Sequence, residues 1–315
     1  MAASIEVPSP LAAEPVGSRF EDVVAQIAAT AGPLPQIEID YEPDIATLWI
    51  TLKPEPKPVF TLQIVESVRK VQAAVMRSWP EGRDSPILFL AYRGVGPIFS
   101  LGGDLDFYFD CLASNDRPAL AEYAALAADV IRWNATGLDG LVLSLTTIHG
   151  KALGGGIDPA RACNVMIAEE SASFGYPEVN YNHFPISAVP ILSRHTGIVE
   201  ARRILLSGAE YTAAEFLRLG LLDAIVPNGT GEDWVRKYAA RTAPSHRARV
   251  SLFAVFNRRA GNLREELAAG AEAWVEHMLR LSPLEVSKLQ RIAHAQEKLL
   301  ARLSTRAASA HCMNS

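Results

Sequence analysis

The spacing of apolar residues divides the chain into two parts. Up to about residue 230, short apolar runs bounded by Gly or Pro alternate with stretches in which apolar residues recur every three or four positions. The runs are typical of buried strands, and the periodic stretches are typical of amphipathic helices. From Asp233 onward only the helical spacing continues. This order predicts an α/β core followed by an all-helical C-terminal region.

The pattern also sets the limits of the elements and regions. Strands are predicted at residues 37–41, 45–52, 86–92, 98–101, 141–148, 164–168 and 221–226. Helices are predicted at residues 20–30, 62–79, 118–134, 198–206 and 213–219. The regions predicted are a flexible leader (1–35), the core (36–230), the helical region (231–306) and a flexible tail (307–315).

The bulk composition excludes several classes of protein. Of the 315 residues, 49% are hydrophobic and 21% are charged, which favours a folded globular chain over a disordered one. The net charge of −5 argues against a nucleic-acid partner, which needs a basic face. No apolar run approaches the ~20 residues of a membrane span, and residues 1–17 lack the pattern of a secretion signal.

The cysteines and histidines give no metal motif. Cys111, Cys163 and Cys312 are odd in number, and their spacing matches no ligand set. The histidines show no paired spacing on one helix face. We therefore expect reduced thiols, no metal and a cytoplasmic location.

Two glycine clusters are the first candidates for chemistry. Gly102-Gly103 and Gly154-Gly155-Gly156 each follow a predicted strand. Glycine lets the backbone turn tightly and approach a ligand, and unpaired N–H groups there bind a phosphate, a carboxylate or a developing oxyanion. Taken alone, either cluster is explained equally well as a tight turn.

Two carboxylates follow the second cluster. Asp158 comes two residues after Gly156, and Glu178 lies among aromatic and apolar neighbours. A carboxyl group in apolar surroundings has a raised pKa, which suits proton transfer near neutral pH. A charge at a helix start and a polar turn residue are the simpler alternatives.

The combination of segments resembles the crotonase (enoyl-CoA hydratase/isomerase) superfamily. FSLGGDL at residues 99–105 and HGKALGGGID at 149–158 resemble its two oxyanion motifs. FGYPE at 174–178 resembles its F-G-x-P-E motif. Residues 213–227 resemble the family's A-x-E-A-x-x-x-G-L-V-x-x-V-V-P stretch. The leader, SLGGDLD at 100–106 and IAEE at 167–170 resemble the diffusible signal factor synthases in particular.

The resemblance implies a fold, an activity and a set of residue roles. The fold would be a spiral of ββα units with a C-terminal helical appendage that packs in a homotrimer or hexamer. The backbone N–H groups of Gly103 and Gly155 would hold the oxygen of a thioester on coenzyme A or acyl carrier protein, with no other cofactor. Glu178 and Asp158 would be catalytic, as in a hydratase or dehydratase.

Substrate binding is assigned to residues that flank these positions. Leu101, Gly102 and Gly154 adjoin the oxyanion glycines, and Phe107 is predicted to line an acyl pocket. Core packing or a trimer contact explains Phe107 equally well. In the helical region, apolar residues at helical spacing suggest either a cover over a neighbouring subunit or packing on the chain's own core, namely Leu267, Trp274, Met278 and Leu281.

Two departures from the family pattern leave the reaction open. Asp158 stands where the family has a glutamate, and Pro159 after it is compatible with a helix only in the first turn. Residues 186–190 replace a glycine-rich family stretch, which predicts a different pocket wall near Glu178. A dehydratase with thioesterase activity that makes a cis-2-enoyl signal, an isomerase that uses Glu178 alone, and a non-catalytic thioester-binding protein all stay open.

Overall fold

Two sheets form the core of the computed structural model, which describes residues 20–80, 85–259 and 261–313. The six-stranded sheet has the order β1-β2-β3-β5-β7-β10, and the four-stranded sheet has the order β4-β6-β8-β9. The strands are β1 Ile37–Glu42, β2 Thr47–Leu52, β3 Phe89–Gly94, β4 Ile98–Ser100, β5 Leu143–Ile148, β6 Lys151–Leu153, β7 Val165–Glu169, β8 Ser173–Gly175, β9 Glu210–Thr212 and β10 Ala224–Val226.

Helices surround the two sheets and form the whole C-terminal part of the described chain. The helices are α1 Phe20–Ala31, α2 Leu62–Ser78, α3 Leu105–Ser114, α4 Arg117–Gly140, α5 Asp158–Arg161, α6 Ala188–Thr196, α7 Ile198–Ser207, α8 Ala213–Arg218, α9 Gly231–Thr242, α10 His246–Arg259, α11 Leu263–Leu279 and α12 Pro283–Met313. None of the helices in the described ranges is both long and apolar enough to cross a bilayer.

From β3 to β8, consecutive strands alternate between the two sheets. Strands β3, β5 and β7 pair in parallel in the large sheet, and the strands that follow each of them, β4, β6 and β8, pair in parallel in the small sheet. The first two such pairs are each followed by a helix, α3 or α5. This arrangement confirms the predicted spiral of ββα units.

The large sheet has an apolar layer on each face. Residues on one face pack with α2 and α4, and those on the other face, including Trp49, Phe89 and Leu145, pack with Val235 and Ala239 of α9. This double cover explains why the strand sequences read as nearly continuous apolar runs. Cys111 and Cys163 are buried free thiols.

The predicted order of an α/β core followed by a helical region is confirmed, whereas several short elements were missed. Within the described ranges every strand lies between residues 37 and 226, and only helices follow. The three-residue strands β6, β8 and β9 were missed, because three residues are too few to establish an alternating pattern. The glycine run is followed by a four-residue helix, α5, and Pro159 lies in its first turn.

The structure describes parts of the two ends that the sequence analysis predicts to be flexible. Residues 20–31 form α1, whose Val23 and Ile27 are buried, and α1 packs against α2. At the other end, α12 continues to Met313, past the predicted boundary at 306. Residues 1–19 of the predicted leader and 314–315 of the tail lie outside the described residues.

The C-terminal helices pack on their own chain. Leu267, Trp274 and Met278 of α11 are each at most 1% exposed, and α11 lies along α4. These three residues therefore pack on the core of their own chain and do not cover a neighbouring subunit.

Candidate active site

Three neighbouring strands of the small sheet bring the predicted site residues together. Strands β4, β6 and β8 are parallel, so their carboxyl ends meet at one edge of the sheet. Gly103 comes three residues after β4, Gly155 comes two residues after β6, and Glu178 comes three residues after β8. The sheet topology thus brings three groups that are far apart in sequence to the same cavity.

The loop after β4 holds Gly103 close to a tyrosine. Asp104 caps α3 by accepting hydrogen bonds from the N–H groups of Asp106 and Phe107. A Cβ atom at Gly103 would lie 2.0 Å from the Tyr108 hydroxyl oxygen, so only glycine fits there. Within the described chain the Gly103 N–H makes no hydrogen bond, which leaves it able to donate to a ligand.

The loop after β6 is in direct contact with Glu178. The Gly155 N–H donates to Glu178 Oε1 at 2.9 Å. Gly154 has φ of +53°, and a Cβ atom there would lie 2.0 Å from Glu178 Oε1. Gly154 is therefore required both by its backbone angle and by the closeness of the carboxyl group. Glu178 Oε2 is buried and has no hydrogen-bond partner among the described residues.

Asp158 is held by hydrogen bonds at both of its oxygens. Its carboxyl group is fully buried at the start of α5, where Oδ1 accepts from the Tyr176 hydroxyl at 2.8 Å and Oδ2 accepts from the Ser187 hydroxyl at 2.7 Å. Asp158 and Glu178 line the same cavity. The two carboxyl groups predicted to be catalytic thus lie at one cavity, and their catalytic role stays a prediction.

Burial changes the proton affinity of both carboxyl groups. Loss of solvation raises the pKa of Asp158 to about 7, although the hydrogen bonds from Ser187 and Tyr176 act in the opposite direction. Loss of solvation also raises the pKa of Glu178 to about 8, and the nearby Asp158 charge adds to the rise. Near neutral pH, the pair can therefore exchange protons with a bound molecule.

The cavity that these groups line has a volume of about 340 Å³ and mostly apolar walls. Of the predicted binding residues, Leu101, Gly102 and Gly154 line it. Phe107 is not among the lining residues, which corrects that prediction. Helix α3 starts at Leu105, and helical spacing brings Leu105 and Tyr108 to the cavity while Phe107 packs against Tyr123.

Helix α12 closes one side of the cavity. Leu289, Ile292 and Leu299 line it, and Gln296 Nε2 donates to the Leu101 carbonyl oxygen at 3.3 Å. Lys57 fixes this helix, because its ammonium group contacts Asp106 of α3 at 2.6 Å and Glu297 of α12 at 3.0 Å.

Two residues that hold Asp158 and two further lining residues were not found from the sequence. Tyr176 stands at the variable position of the FGYPE segment, and Ser187 lies in the stretch 186–190 that departs from the family pattern. That departure was the available signal for Ser187, and a pocket wall that differs from the family's stays a prediction. Tyr108 and His183 also line the cavity, but nothing in their spacing distinguishes them from core aromatic residues.

A sequence model of the enoyl-CoA hydratase/isomerase family matches residues 93–280. The chain belongs to this family and has the crotonase fold. It is 31% identical over 140 residues to a probable enoyl-CoA hydratase of Bacillus subtilis, a match that covers 44% of the chain and 52% of that protein. It is 26% identical over 224 residues to the enoyl-CoA isomerase/hydratase fer4 of Mycosarcoma maydis, covering 69% of the chain and 78% of that protein. The chain thus spans about half the length of the Bacillus relative.

Solved structures share the fold. An enoyl-CoA hydratase from Bacillus halodurans superimposes with a TM-score of 0.69 at 23% identity, covering 81% of this chain and 99% of that one. Pseudomonas aeruginosa DspI superimposes with a TM-score of 0.60 at 24% identity, covering 70% of this chain and 86% of that one. At these identities, the similarity concerns the fold.

Proposed function

We propose that the chain is an enzyme that adds water to 2-enoyl thioesters or removes it from 3-hydroxyacyl thioesters. One observation carries this proposal. Two carboxyl groups with raised pKa line the same apolar cavity, beside the N–H groups of Gly103 and Gly155. This is the combination that proton transfer next to a polarised carbonyl group requires.

The two backbone N–H groups would bind the thioester oxygen. Negative charge develops on this oxygen when the enolate forms, and fixed donors stabilise it in the transition state. Gly155 N–H is engaged by Glu178 Oε1, so a thioester oxygen competes with Glu178 for the same donor. Binding would release the Glu178 carboxyl group from Gly155 and leave it free to act on the substrate.

The carboxyl groups would then transfer the protons. In hydration, the Glu178 carboxylate takes a proton from water as the water oxygen bonds to C3, and the C2–C3 electron pair moves towards the thioester oxygen. The enolate collapses when C2 receives a proton from the acid form of the pair, Asp158 supplying it directly or through Glu178. Dehydration is the reverse sequence.

A second candidate reaction is isomerisation of an enoyl thioester by Glu178 alone. It is favoured by the hydrogen bonds from Tyr176 and Ser187, which engage both Asp158 oxygens. In that reaction, Glu178 removes a proton at one carbon and returns it at another. Asp158 would then only position Tyr176 and Ser187.

A more specific form of the proposal is synthesis of a cis-2-enoyl fatty acid signal. The motifs at residues 100–106 and 167–170 support it through their resemblance to diffusible signal factor synthases. The enzyme would dehydrate a 3-hydroxyacyl group on acyl carrier protein and then cleave the thioester. A non-catalytic thioester-binding protein is the remaining alternative, and it predicts binding without any product.

Product analysis separates these reactions. The chain is incubated with 2-enoyl and 3-hydroxyacyl thioesters on both carriers, and products are identified by mass spectrometry with reference compounds for double-bond geometry. Trans-2-enoyl and 3-hydroxyacyl interconversion supports the first proposal, a shifted double bond supports isomerisation, and a free cis-2-enoic acid supports signal synthesis. Absence of all products from a chain that binds the thioesters supports the non-catalytic alternative.

We also propose that the chain assembles as a homotrimer or hexamer, as the family resemblance implies. Exposed apolar side chains on α7 and α10 support a subunit contact, since each is more than half exposed, namely Ile198, Val199, Leu206, Leu252, Val255 and Phe256. Light scattering coupled to size-exclusion chromatography measures the assembly mass, and a monomer would contradict this part of the proposal.

A further inference from the structure

Polar side chains line one part of the otherwise apolar cavity. Tyr92 of β3, Asn134 of α4 and Thr146 of β5 all line it and are at most 5% exposed. Tyr92 and Thr146 are paired across adjacent parallel strands, so their side chains share a sheet face. We call these three residues the polar end of the cavity.

The polar end keeps hydrogen-bonding capacity that the described residues do not use. Tyr92 donates to Asn134 Oδ1 at 2.7 Å, and Gln72 Nε2 donates to the same oxygen at 2.8 Å. Asn134 Nδ2 donates to the Pro159 carbonyl oxygen at 2.8 Å, which leaves its second N–H available. The Thr146 hydroxyl has no hydrogen-bond partner among the described residues.

Burial makes this unused capacity unfavourable unless a ligand satisfies it. An unpaired buried polar group destabilises the folded state, and buried hydroxyl and amide groups normally have partners. An unbranched alkyl chain would pack well on Val65, Val68 and Val130 but would leave Thr146 unpaired. An oxygen atom on the chain would satisfy both Thr146 and Asn134.

The polar end contacts the backbone directly after Asp158. Asn134 binds the carbonyl of Pro159, the residue that directly follows Asp158. Tyr92, Asn134 and Thr146 carry no charge, and the titratable group nearest in sequence to this contact is the Asp158 carboxyl. A neutral oxygen suits this surrounding better than a second carboxylate, because the two negative charges would repel in a poorly solvated cavity.

We propose that the polar end recognises an acyl chain bearing a neutral oxygen, a hydroxyl or keto group, beyond the reacting carbons. This inference rests on the proposed binding of an acyl thioester in the cavity. It narrows the substrate class from simple alkyl thioesters to oxygenated ones, and it assigns Thr146 as a specificity-determining residue.

The test measures binding of unreactive saturated thioesters, so it does not depend on turnover. Hexanoyl-CoA and its 4-keto, 5-keto and 6-hydroxy derivatives, none of which closes readily to a five- or six-membered lactone, are titrated into the protein by calorimetry. We expect at least one oxygenated derivative to bind about tenfold more tightly than hexanoyl-CoA. Thr146→Val, which replaces the hydroxyl by a methyl group of similar size, should abolish this preference.

Matched variants control for packing. Thr146→Ser keeps the hydroxyl and should keep the preference. Thr147→Val makes the same chemical change one residue along β5, on the opposite face of the sheet, and should also keep it. If Thr146→Val unfolds, Thr146→Ala replaces it.

The outcomes separate this inference from the proposed reaction. Equal binding of all thioesters to the unmodified protein, or a preference that persists without the Thr146 hydroxyl, overturns the inference even if the protein is an active hydratase. A preference that depends on Thr146 supports the inference even if no enoyl thioester turns over. Failure to bind any of the thioesters overturns both proposals.

Discussion

Asp158 and Glu178 line one cavity but are held in different ways. Asp158 is fully buried, and hydroxyl groups of Tyr176 and Ser187 occupy its two oxygens. Glu178 has one oxygen on the Gly155 N–H and a second without a partner among the described residues. The Asp158 carboxyl group is therefore fixed in place. Glu178 is held through its contact with the Gly155 N–H, and a thioester oxygen can take its place on that donor.

This difference assigns unequal roles to the two groups. A group that transfers protons to substrate must be able to reach it, which suits Glu178. A group held at both oxygens can set the charge and proton count of the site without moving, which suits Asp158. The expected effects of substitution are therefore unequal, with Glu178 the more sensitive position.

Glu178→Gln should give the largest effect. It keeps size and the contact with Gly155 but cannot transfer a proton, so kcat for thioester turnover should fall by about 10²- to 10⁴-fold. Steady-state kinetics measure the loss. Glu170→Gln serves as the control. Glu170 is exposed and does not line the cavity, so this variant should keep full activity. Unchanged turnover in Glu178→Gln would remove Glu178 from the mechanism.

Adjacent glycines offer a test of how Glu178 is positioned. Gly154→Ala strains a residue with φ of +53° and displaces Glu178 Oε1, so kcat should fall about 100-fold. In Gly155→Ala the nearest atom to the new Cβ is Pro185 Cβ at 4.0 Å, so activity should change less than about threefold. Circular dichroism checks the fold of both variants. Equal losses in the two would contradict the positioning role of Gly154.

Asp158→Asn should reduce kcat by about 10- to 100-fold if Asp158 shares the proton of the pair. Asn keeps the shape of the side chain but offers only one acceptor oxygen to Tyr176 and Ser187. Activity towards a double-bond shift is measured beside hydration. Loss of hydration with retained isomerisation would favour the mechanism that uses Glu178 alone.

The pH dependence of kcat/KM reports whether both carboxyl groups take part. With pKa values of about 7 for Asp158 and about 8 for Glu178, a single proton resides on the pair between these values. Shared proton transfer predicts a bell-shaped profile that falls below about pH 7 and above about pH 8, in both reaction directions. Ser187→Ala removes a hydrogen bond that lowers the Asp158 pKa, so it should move the acidic limb to higher pH. A single rising limb near pH 8 would indicate that only ionised Glu178 is required.

The smallest effect concerns stability. The pKa of Glu178 is raised in the folded state from an ordinary value of 4.5 to about 8, so the unfolded chain binds fewer protons between these pH values. Stability therefore falls as pH rises from about 4.5 to 8. Glu178→Gln should be more stable than the unmodified protein by about 1–3 kcal/mol at pH 7, with the difference vanishing near pH 4.5. Urea unfolding at both pH values measures this, and lower stability at pH 7 would contradict it.

The sequence predicted groups that local patterns define and missed those that depend on long-range contacts. Gly103, Gly155, Asp158 and Glu178 lie in recognisable segments, and the parallel strands before three of them do meet at one sheet edge. The hydroxyl of Tyr176 reaches Asp158 across 18 positions and that of Ser187 across 29, a distance over which no periodicity operates.

The polar end shows a similar limit within a single strand. In β5, Leu143 and Leu145 face one side, whereas Ser144 and Thr146 face the other. This alternation is visible in the sequence, but the buried strand was interpreted as an apolar run. Thr146 can be assigned a role in binding only once the structure shows that it lines a cavity between the sheet and its covering helices.

The most direct test of the central claim is to follow hydrogen transfer at the substrate carbon. The protein is incubated with a trans-2-enoyl-CoA in D₂O, and the product is examined by mass spectrometry beside that of Glu178→Gln. We expect a 3-hydroxyacyl-CoA with one deuterium on C2 from the unmodified protein, and none above background from the variant. Deuterated product formed equally by both proteins, or no product from the unmodified protein, would contradict Glu178 as the group that moves the proton.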